Sequence, residues 1–187
     1  MVKVFTKQII RKKMMNKIFL IGPMGVGKTA VGKVLAKNLN YHFFDIDNEN
    51  QWKNRHIMSR NKLYWNYRDE YHDIESDILK DYTINNNKNS IISTGGATVL
   101  RLENKNLMES NGIVVYLKAD GKTLDNRMKN HSNKSMRNWY MSQTITIKST
   151  ERYLNERKSH YKFADLEINT NDKSIEEVCL MIESWIY

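Results

Sequence analysis

Short apolar runs alternate with amphipathic segments along most of the chain. Five of these runs have the length and composition of buried or half-buried strands. The strand-like runs are KIFLIG, YHFFDID, SIISTGG, GIVVYLKA and DLEIN. Apolar positions recur at helical spacing in three regions: Lys28 to Leu39, Asn48 to about Asp81, and the closing SIEEVCLMIESWI. The spacing is less regular in the region from Asn48 to about Asp81. The pattern predicts strands and helices in alternation.

Alternating strands and helices predict an α/β fold, because parallel strands need crossover connections and helices supply them. Ligands of such sheets bind at the carboxyl ends of the strands. A glycine-rich loop follows the first strand, Asp45 and Asp47 follow the second, and Gly95 and Gly96 follow the third. We therefore expect these groups to meet in one site.

Length and composition favour one soluble domain. The chain has 187 residues, and no stretch approaches the roughly 18 consecutive apolar residues that span a membrane. The single cysteine, Cys179, excludes a disulfide framework or a cysteine metal site within the chain, and its apolar surroundings predict a buried, inert thiol. A net charge of +9 attracts nucleic acids and small phosphate or carboxylate compounds alike, so charge does not select the partner.

Part of the positive charge lies in a basic leader, residues 1–15, with no acidic residue. A short targeting segment and a nucleic-acid arm both fit this composition, although an apolar signal core and interleaved aromatics are missing. We favour a disordered extension, or an upstream start codon before Met14 and Met15, and place a single domain at 16–187.

The glycine-rich loop has the spacing G-x-x-x-x-G-K-S/T, between a strand and a helix. Glycines allow the positive φ angles that turn backbone amides inward, and the helix N-terminus adds partial positive charge. Lys28 is expected to reach the β and γ phosphates of a nucleotide, and the Thr29 hydroxyl to ligate magnesium. The expected nucleotide contacts are Gly25, Val26, Gly27, Lys28, Thr29 and Ala30.

The sequence D-I-D predicts two carboxylates on one side of a strand, because Asp45 and Asp47 are two residues apart. Beside a magnesium nucleotide, one carboxylate can hold the water shell of the metal. The other can orient an acceptor hydroxyl or accept its proton.

The segment IFLIGPMGVGKTAVGKVLAKNLNYHFFDIDNE closely resembles the opening of bacterial shikimate kinases, and the similarity extends from about Asn16 to the C-terminus. The resemblance implies a P-loop kinase fold, a three-layer α/β/α arrangement with a five-stranded parallel sheet and a mobile lid. It also implies ATP and Mg²⁺ as cofactors, transfer of phosphate to the 3-hydroxyl of shikimate, a monomer and a cytoplasmic location, with neither nucleic acid nor membrane as partner.

Later segments resemble the acceptor side of that family. YRDE places Arg68, and NERKSHYKFADLEINT places Arg157, as the arginines that bind the shikimate carboxylate. Guanidinium suits this task because it can donate two parallel hydrogen bonds to a carboxylate. STGGATV resembles the glycine turn over the substrate, where Gly95 and Gly96 let the backbone approach the ring.

The resemblance also assigns the catalytic groups. Asp47 holds the acceptor hydroxyl, Asp45 and Thr29 hold the metal, and Lys28 contacts the phosphates. MRN places Arg137 in a lid at about 130–142, where it contacts the nucleotide and neutralises charge on the transferring phosphoryl group. The region that binds the substrate is expected at about 48–82.

Several positions depart from the family pattern: Ala97 replaces a third glycine, Tyr71 a glutamate and Asn138 a proline, and a Gly-Glu pair is missing between Asp47 and Arg68. Three alternatives to shikimate phosphorylation therefore remain. They are a kinase for another small hydroxy acid, such as a gluconate-type sugar acid, an ATP-binding protein without transfer, and a nucleic-acid binder with salt-sensitive affinity.

Overall fold

The structure is a computed structural model that describes residues 16–48, 68–143 and 145–187. Within them, one parallel sheet has the strand order β2-β3-β1-β4-β5. Its strands are β1 (Lys17–Ile21), β2 (His42–Asp45), β3 (Ser90–Ser93), β4 (Ile113–Lys118) and β5 (Leu166–Asn169). The predicted five-stranded parallel sheet is confirmed.

Helices connect the strands, as crossover connections require. They are α1 (Lys28–Leu39), α2 (Arg68–Ile84), α3 (Leu102–Asn111), α4 (Gly121–Lys129), α5 (Lys134–Ser142), α6 (Ile147–Arg157) and α7 (Ile175–Ile186). Short 3₁₀ helices lie at Thr98–Leu100 and Lys158–Tyr161. Helix α7 starts with a capping box in which Ser174 and Glu177 bond reciprocally, a signature that the sequence S-x-x-E carries.

The two faces of the sheet bury separate apolar clusters, because alternate residues of a strand point to opposite sides. On β1, Ile18 and Leu20 join the cluster under α1 and α7, whereas Phe19 and Ile21 join the cluster under α2 and α3. All five residues of β1 are buried, which explains the continuous apolar run of this central strand. The result is the expected three-layer α/β/α architecture.

The second strand is shorter than predicted. It ends at Asp45, and Ile46 to Asn48 are helical, so the prediction that Asp45 and Asp47 alternate within a strand is wrong. The Asp45 carboxylate accepts a hydrogen bond from the backbone N–H of Asn48 at 3.2 Å, which caps the helical turn. The helix expected from Asn48 is described from Arg68 onward, because 49–67 lie outside the described residues.

Two further expectations concern burial and membranes. Cys179 is fully buried, and burial, with smaller contributions from nearby acids, raises the pKa of its thiol to about 11, so the predicted inert thiol is confirmed. Among the described helices, none combines the length and apolar character needed to cross a bilayer. The basic leader, 1–15, lies outside the described residues.

Candidate active site

The phosphate loop connects β1 to α1 and has the backbone that its glycines predict. Gly25 and Gly27 have φ angles of 80° and 107°, in the left-handed region that side chains rarely adopt. Gly27 directly precedes the first turn of α1, so the amides of the loop and of the helix N-terminus belong to one continuous segment. The positive φ angles that the sequence predicts for this loop are therefore present at Gly25 and Gly27.

Lys28 lies inside this loop, with only 8% of its surface exposed. Its ammonium donates hydrogen bonds to the carbonyl oxygens of Gly22 at 2.9 Å and Pro23 at 3.0 Å. Burial lowers the pKa of Lys28, while the negative charges of Asp47, Asp45 and Glu75 act in the opposite direction. Three carboxylates therefore act on the buried Lys28 side chain and favour its charged form.

The expected metal ligands are in contact. The Thr29 hydroxyl donates a hydrogen bond of 2.6 Å to the Asp45 carboxylate, which joins the start of α1 to the end of β2. Two adjacent oxygen ligands suit Mg²⁺, which keeps several waters and usually takes its other ligands from phosphates. In the described ranges, no group of three or more His, Cys, Asp or Glu side chains is placed to hold a metal alone. The residues thus fit a magnesium ion shared with a nucleotide.

On the acceptor side, Asp47 lies against the turn that follows β3. A Cβ atom added at Gly95 would lie 3.0 Å from an Asp47 carboxylate oxygen and 1.8 Å from Glu75 Oε1. A side chain larger than hydrogen therefore has no space at position 95. The buried Tyr71 hydroxyl donates a long hydrogen bond of 3.5 Å to Asp47. Asp47 and Gly95 meet as the sequence predicts.

Arg157, at the end of α6, reaches the same turn. Its guanidinium donates a hydrogen bond of 2.8 Å to the Gly96 carbonyl and lies 4.3 Å from the centre of the Tyr153 ring. A Cβ atom at Gly96 would lie 3.8 Å from the backbone nitrogen of Met24, in the phosphate loop. The glycine turn therefore adjoins the phosphate loop on one side and Arg157 on the other.

The structure does not bring every predicted residue into this cluster. Arg137 lies on α5 and donates a hydrogen bond of 3.2 Å to the His131 carbonyl, so both partners belong to the predicted lid at about 130–142. Arg68 is the first described residue of α2, and its side chain lies outside the described residues. Ala97 has a φ angle of −102°, outside the left-handed region, so alanine is not strained at this position.

Two residues of the site carry no motif and were missed from the sequence. Arg127 of α4 donates hydrogen bonds to the carbonyl oxygens of Val26 at 3.1 Å and Thr170 at 2.6 Å, which ties the phosphate loop to the end of β5. Glu75 is 2% exposed. The sequence does contain a signal for the burial of Glu75. This residue lies at helical spacing from Tyr71 and Ile78, on an otherwise apolar stripe of the helix.

Comparisons with known proteins identify the family of this chain. The family model for shikimate kinase matches residues 24–187. A shikimate kinase of Dehalococcoides mccartyi is 34% identical over 176 residues, which are 91% of this chain and 93% of that protein.

Solved structures give the same result. The shikimate kinase of Acinetobacter baumannii in complex with shikimate has a TM-score of 0.78 and 25% identity, over 95% of this chain and 96% of that chain. The shikimate kinase of Aquifex aeolicus has a TM-score of 0.72 and 27% identity, over 91% and 95% of the two chains. The residues matched by the family model include Lys28, the Gly95 turn and Arg157. This chain belongs to the shikimate kinase family.

Proposed function

We propose that this protein transfers the γ-phosphoryl group of ATP to the 3-hydroxyl of shikimate, giving shikimate 3-phosphate and ADP for aromatic amino-acid biosynthesis. Membership of the shikimate kinase family supports both the reaction and its cofactors, ATP and Mg²⁺. One observation carries the proposal: the glycine turn beside Asp47 and Arg157 adjoins the phosphate loop at Met24. An acceptor on that turn would lie next to the transferring phosphate.

The nucleotide half of the reaction belongs to the loop and the start of α1. The amides of residues 25–30 bind phosphate oxygens, and Lys28 exchanges its loop carbonyls for the β and γ phosphates. Thr29 and Asp45, whose side chains are hydrogen-bonded to each other, would hold Mg²⁺ beside the phosphates. When bound, the ion neutralises charge on the phosphoryl oxygens.

The acceptor half belongs to the glycine turn. Arg157 and Arg68 bind the shikimate carboxylate, and Gly95 and Gly96 let the backbone approach the ring. The Asp47 carboxylate orients the acceptor hydroxyl and takes its proton as the oxygen attacks the phosphorus. This orientation matters because phosphoryl transfer depends mainly on position and charge stabilisation.

The segment 130–142 acts as a lid that brings Arg137 toward the phosphates and excludes water as the site closes. In this structure the Tyr140 hydroxyl donates a hydrogen bond of 3.0 Å to Asp125, which anchors α5 on α4. We also propose a single domain over 16–187, with shikimate bound in part by 48–82. The chain acts as a cytoplasmic monomer without a nucleic-acid partner.

The decisive experiment is ADP release by the purified protein with Mg²⁺ and ATP, with and without shikimate. We expect strong stimulation by shikimate that disappears in Arg157→Ala. The matched control is Arg152→Ala, which removes an exposed arginine from the same helix. Stimulation by gluconate and not shikimate would indicate another acceptor, and ATP binding without turnover would indicate a protein that no longer transfers phosphate.

A further inference from the structure

The ring of Tyr153 lies against Arg157, the arginine proposed to bind the acceptor carboxylate. Both residues belong to α6 and are four positions apart, so they lie on the same face of that helix. The central carbon of the Arg157 guanidinium is 4.3 Å from the centre of the Tyr153 ring, within the range of a cation–π contact. Tyr153 has no role in the mechanism proposed above.

The other end of the Tyr153 side chain lies at the glycine turn. A Cβ atom added at Gly96 would lie 3.9 Å from the Tyr153 hydroxyl oxygen. The Gly96 carbonyl is also the group that accepts the hydrogen bond from Arg157. The half-buried ring of Tyr153 therefore extends from the guanidinium to the turn where the acceptor would lie.

A pair of buried tyrosines lies beside this contact. Tyr161 stacks on Tyr116, with ring centres 4.3 Å apart and ring planes at 5°. Burial is the main cause that raises the pKa of Tyr161, while Tyr153 adds to this effect and Arg157 opposes it. Such charge effects weaken with distance, so Tyr153 and Arg157 lie close to the buried pair.

Arg157 keeps its positive charge for a ligand. Its guanidinium donates to a carbonyl group, which has no net charge, and no carboxylate in the described part of the chain forms an ion pair with it. An arginine side chain has many rotamers, and two parallel hydrogen bonds to a carboxylate require a defined guanidinium plane. The single bond to Gly96 leaves rotation possible, whereas the ring beneath the guanidinium restricts it.

We propose that Tyr153 is a positioning residue for the acceptor carboxylate, because the face of its ring holds the Arg157 guanidinium in the orientation that two parallel hydrogen bonds require. The inference rests on the proposed function, since it concerns the arginine that would bind shikimate. An arginine that is oriented before binding loses less conformational freedom when the acceptor arrives. The contribution of Tyr153 should therefore depend on its ring and on Arg157, and not on the phenol hydroxyl.

The test compares Tyr153→Leu, which removes the aromatic face, with Tyr153→Phe, which keeps it. In Tyr153→Leu the KM for shikimate rises about fivefold, the scale of one cation–π contact, while kcat and the KM for ATP stay within about twofold. Tyr153→Phe stays near wild type. In an Arg157→Lys background, Tyr153→Leu changes the KM for shikimate less than about twofold, because an ammonium has no plane to orient. The matched control is Tyr187→Leu, the same change at a tyrosine that is 82% exposed.

Unchanged kinetics in Tyr153→Leu, or equal rises in both KM values, would overturn the proposal. So would a Tyr153→Phe variant as impaired as Tyr153→Leu, or effects that add in the Arg157→Lys background. If Tyr153→Leu does not fold, Tyr153→Met decides by the same criteria, since methionine fills irregular space without an aromatic face. A wild-type protein without any response to shikimate overturns the proposed function and this inference together. An active wild type with additive effects overturns this inference alone.

Discussion

The phosphate loop and the acceptor side of this site are built in different ways. The loop is one contiguous segment from Gly22 to Thr29, and its glycine φ angles create its shape. The acceptor side collects side chains from distant segments, including Asp47 after β2, Glu75 on α2 and Arg157 on α6. The contiguous loop can be recognised in the sequence. The acceptor side cannot, because its residues come together only when the helices pack on the sheet.

The two halves also differ in what a substitution should affect. A change in the loop removes binding of the nucleotide phosphates, so every ATP-dependent activity should fall with it. A change on the acceptor side should leave ATP binding intact and alter only the dependence on shikimate. The KM for ATP and the KM for shikimate therefore report the two halves separately.

The largest effect is expected for Lys28→Ala in the loop. This variant removes the ammonium that the Gly22 and Pro23 carbonyls hold in place for the phosphates. We expect kcat/KM for ATP to fall about 10³-fold, the upper range for one lost group that stabilises transition-state charge. Steady-state ADP release measures it, with Lys33→Ala, an exposed lysine of the same helix, as the control. A variant with more than a tenth of wild-type activity would contradict this role.

Asp47→Asn is expected to lower kcat about 10²-fold, because the asparagine amide cannot take the proton of the acceptor hydroxyl. General base catalysis contributes a rate factor of about 10² or more. The KM for ATP should stay within about twofold, because Thr29 and Asp45 remain paired. Single-turnover phosphorylation of shikimate is the measurement. An unchanged kcat would show that Asp47 only orients the hydroxyl or that another group accepts the proton.

The fold and the nucleotide half could be predicted from the sequence because their signals are local. Apolar runs located the five strands, and the spacing of Gly22, Gly27, Lys28 and Thr29 located the loop. The end of β2 was missed because a carboxylate cap at Asp45 starts a helical turn inside the apolar run.

The roles of Arg127 and Glu75 could not be predicted, because their partners are remote in sequence. Arg127 binds Val26 across 101 residues, and Glu75 binds Thr98 across 23. No spacing rule connects such pairs. An acidic residue on the apolar stripe of a helix suggests a buried carboxylate. Only the packed structure identifies the group that donates a hydrogen bond to that carboxylate.

Arg157→Lys tests the acceptor side with the charge preserved. Lysine cannot donate two parallel hydrogen bonds to a carboxylate, so we expect the KM for shikimate to rise about tenfold, with the KM for ATP unchanged. Arg152→Lys, an exposed position of α6, is the matched control. An equal change in both KM values would indicate that Arg157 supports the fold of the site and does not bind the acceptor.

Tyr140→Phe tests the contact that anchors α5, and its effect should be on stability. Asp125 keeps Lys129 as a partner but loses the Tyr140 hydroxyl, so unfolding should cost about 1 kcal/mol less. Denaturant unfolding measures this, with the exposed neighbour Met141→Ala as the control. Destabilisation equal to that of the control would show that the hydrogen bond contributes nothing.

The same contact predicts a pH dependence. Hydrogen bonding to Lys129, and then to Tyr140, lowers the pKa of Asp125, so the folded state favours the charged carboxylate. That stabilisation is present above the ordinary aspartate pKa of about 4 and is lost as pH falls through the lowered value. The difference between wild type and Tyr140→Phe should therefore shrink below about pH 4. A difference that grows in acid would contradict the assignment of the charge to Asp125.

Ala97→Gly is expected to have the smallest effect, although it restores the third glycine of the family pattern. Ala97 has a φ angle of −102°, which alanine adopts without strain, so the glycine has no backbone role to recover. We expect kcat and both KM values within about twofold of wild type. Stability should fall by about 0.5–1 kcal/mol, because glycine loses more conformational entropy on folding. Kinetics and denaturant unfolding of the same preparation measure both. A large gain in activity would mean that the methyl group hinders the acceptor directly, and that the acceptor side of this chain is limited by space at the turn.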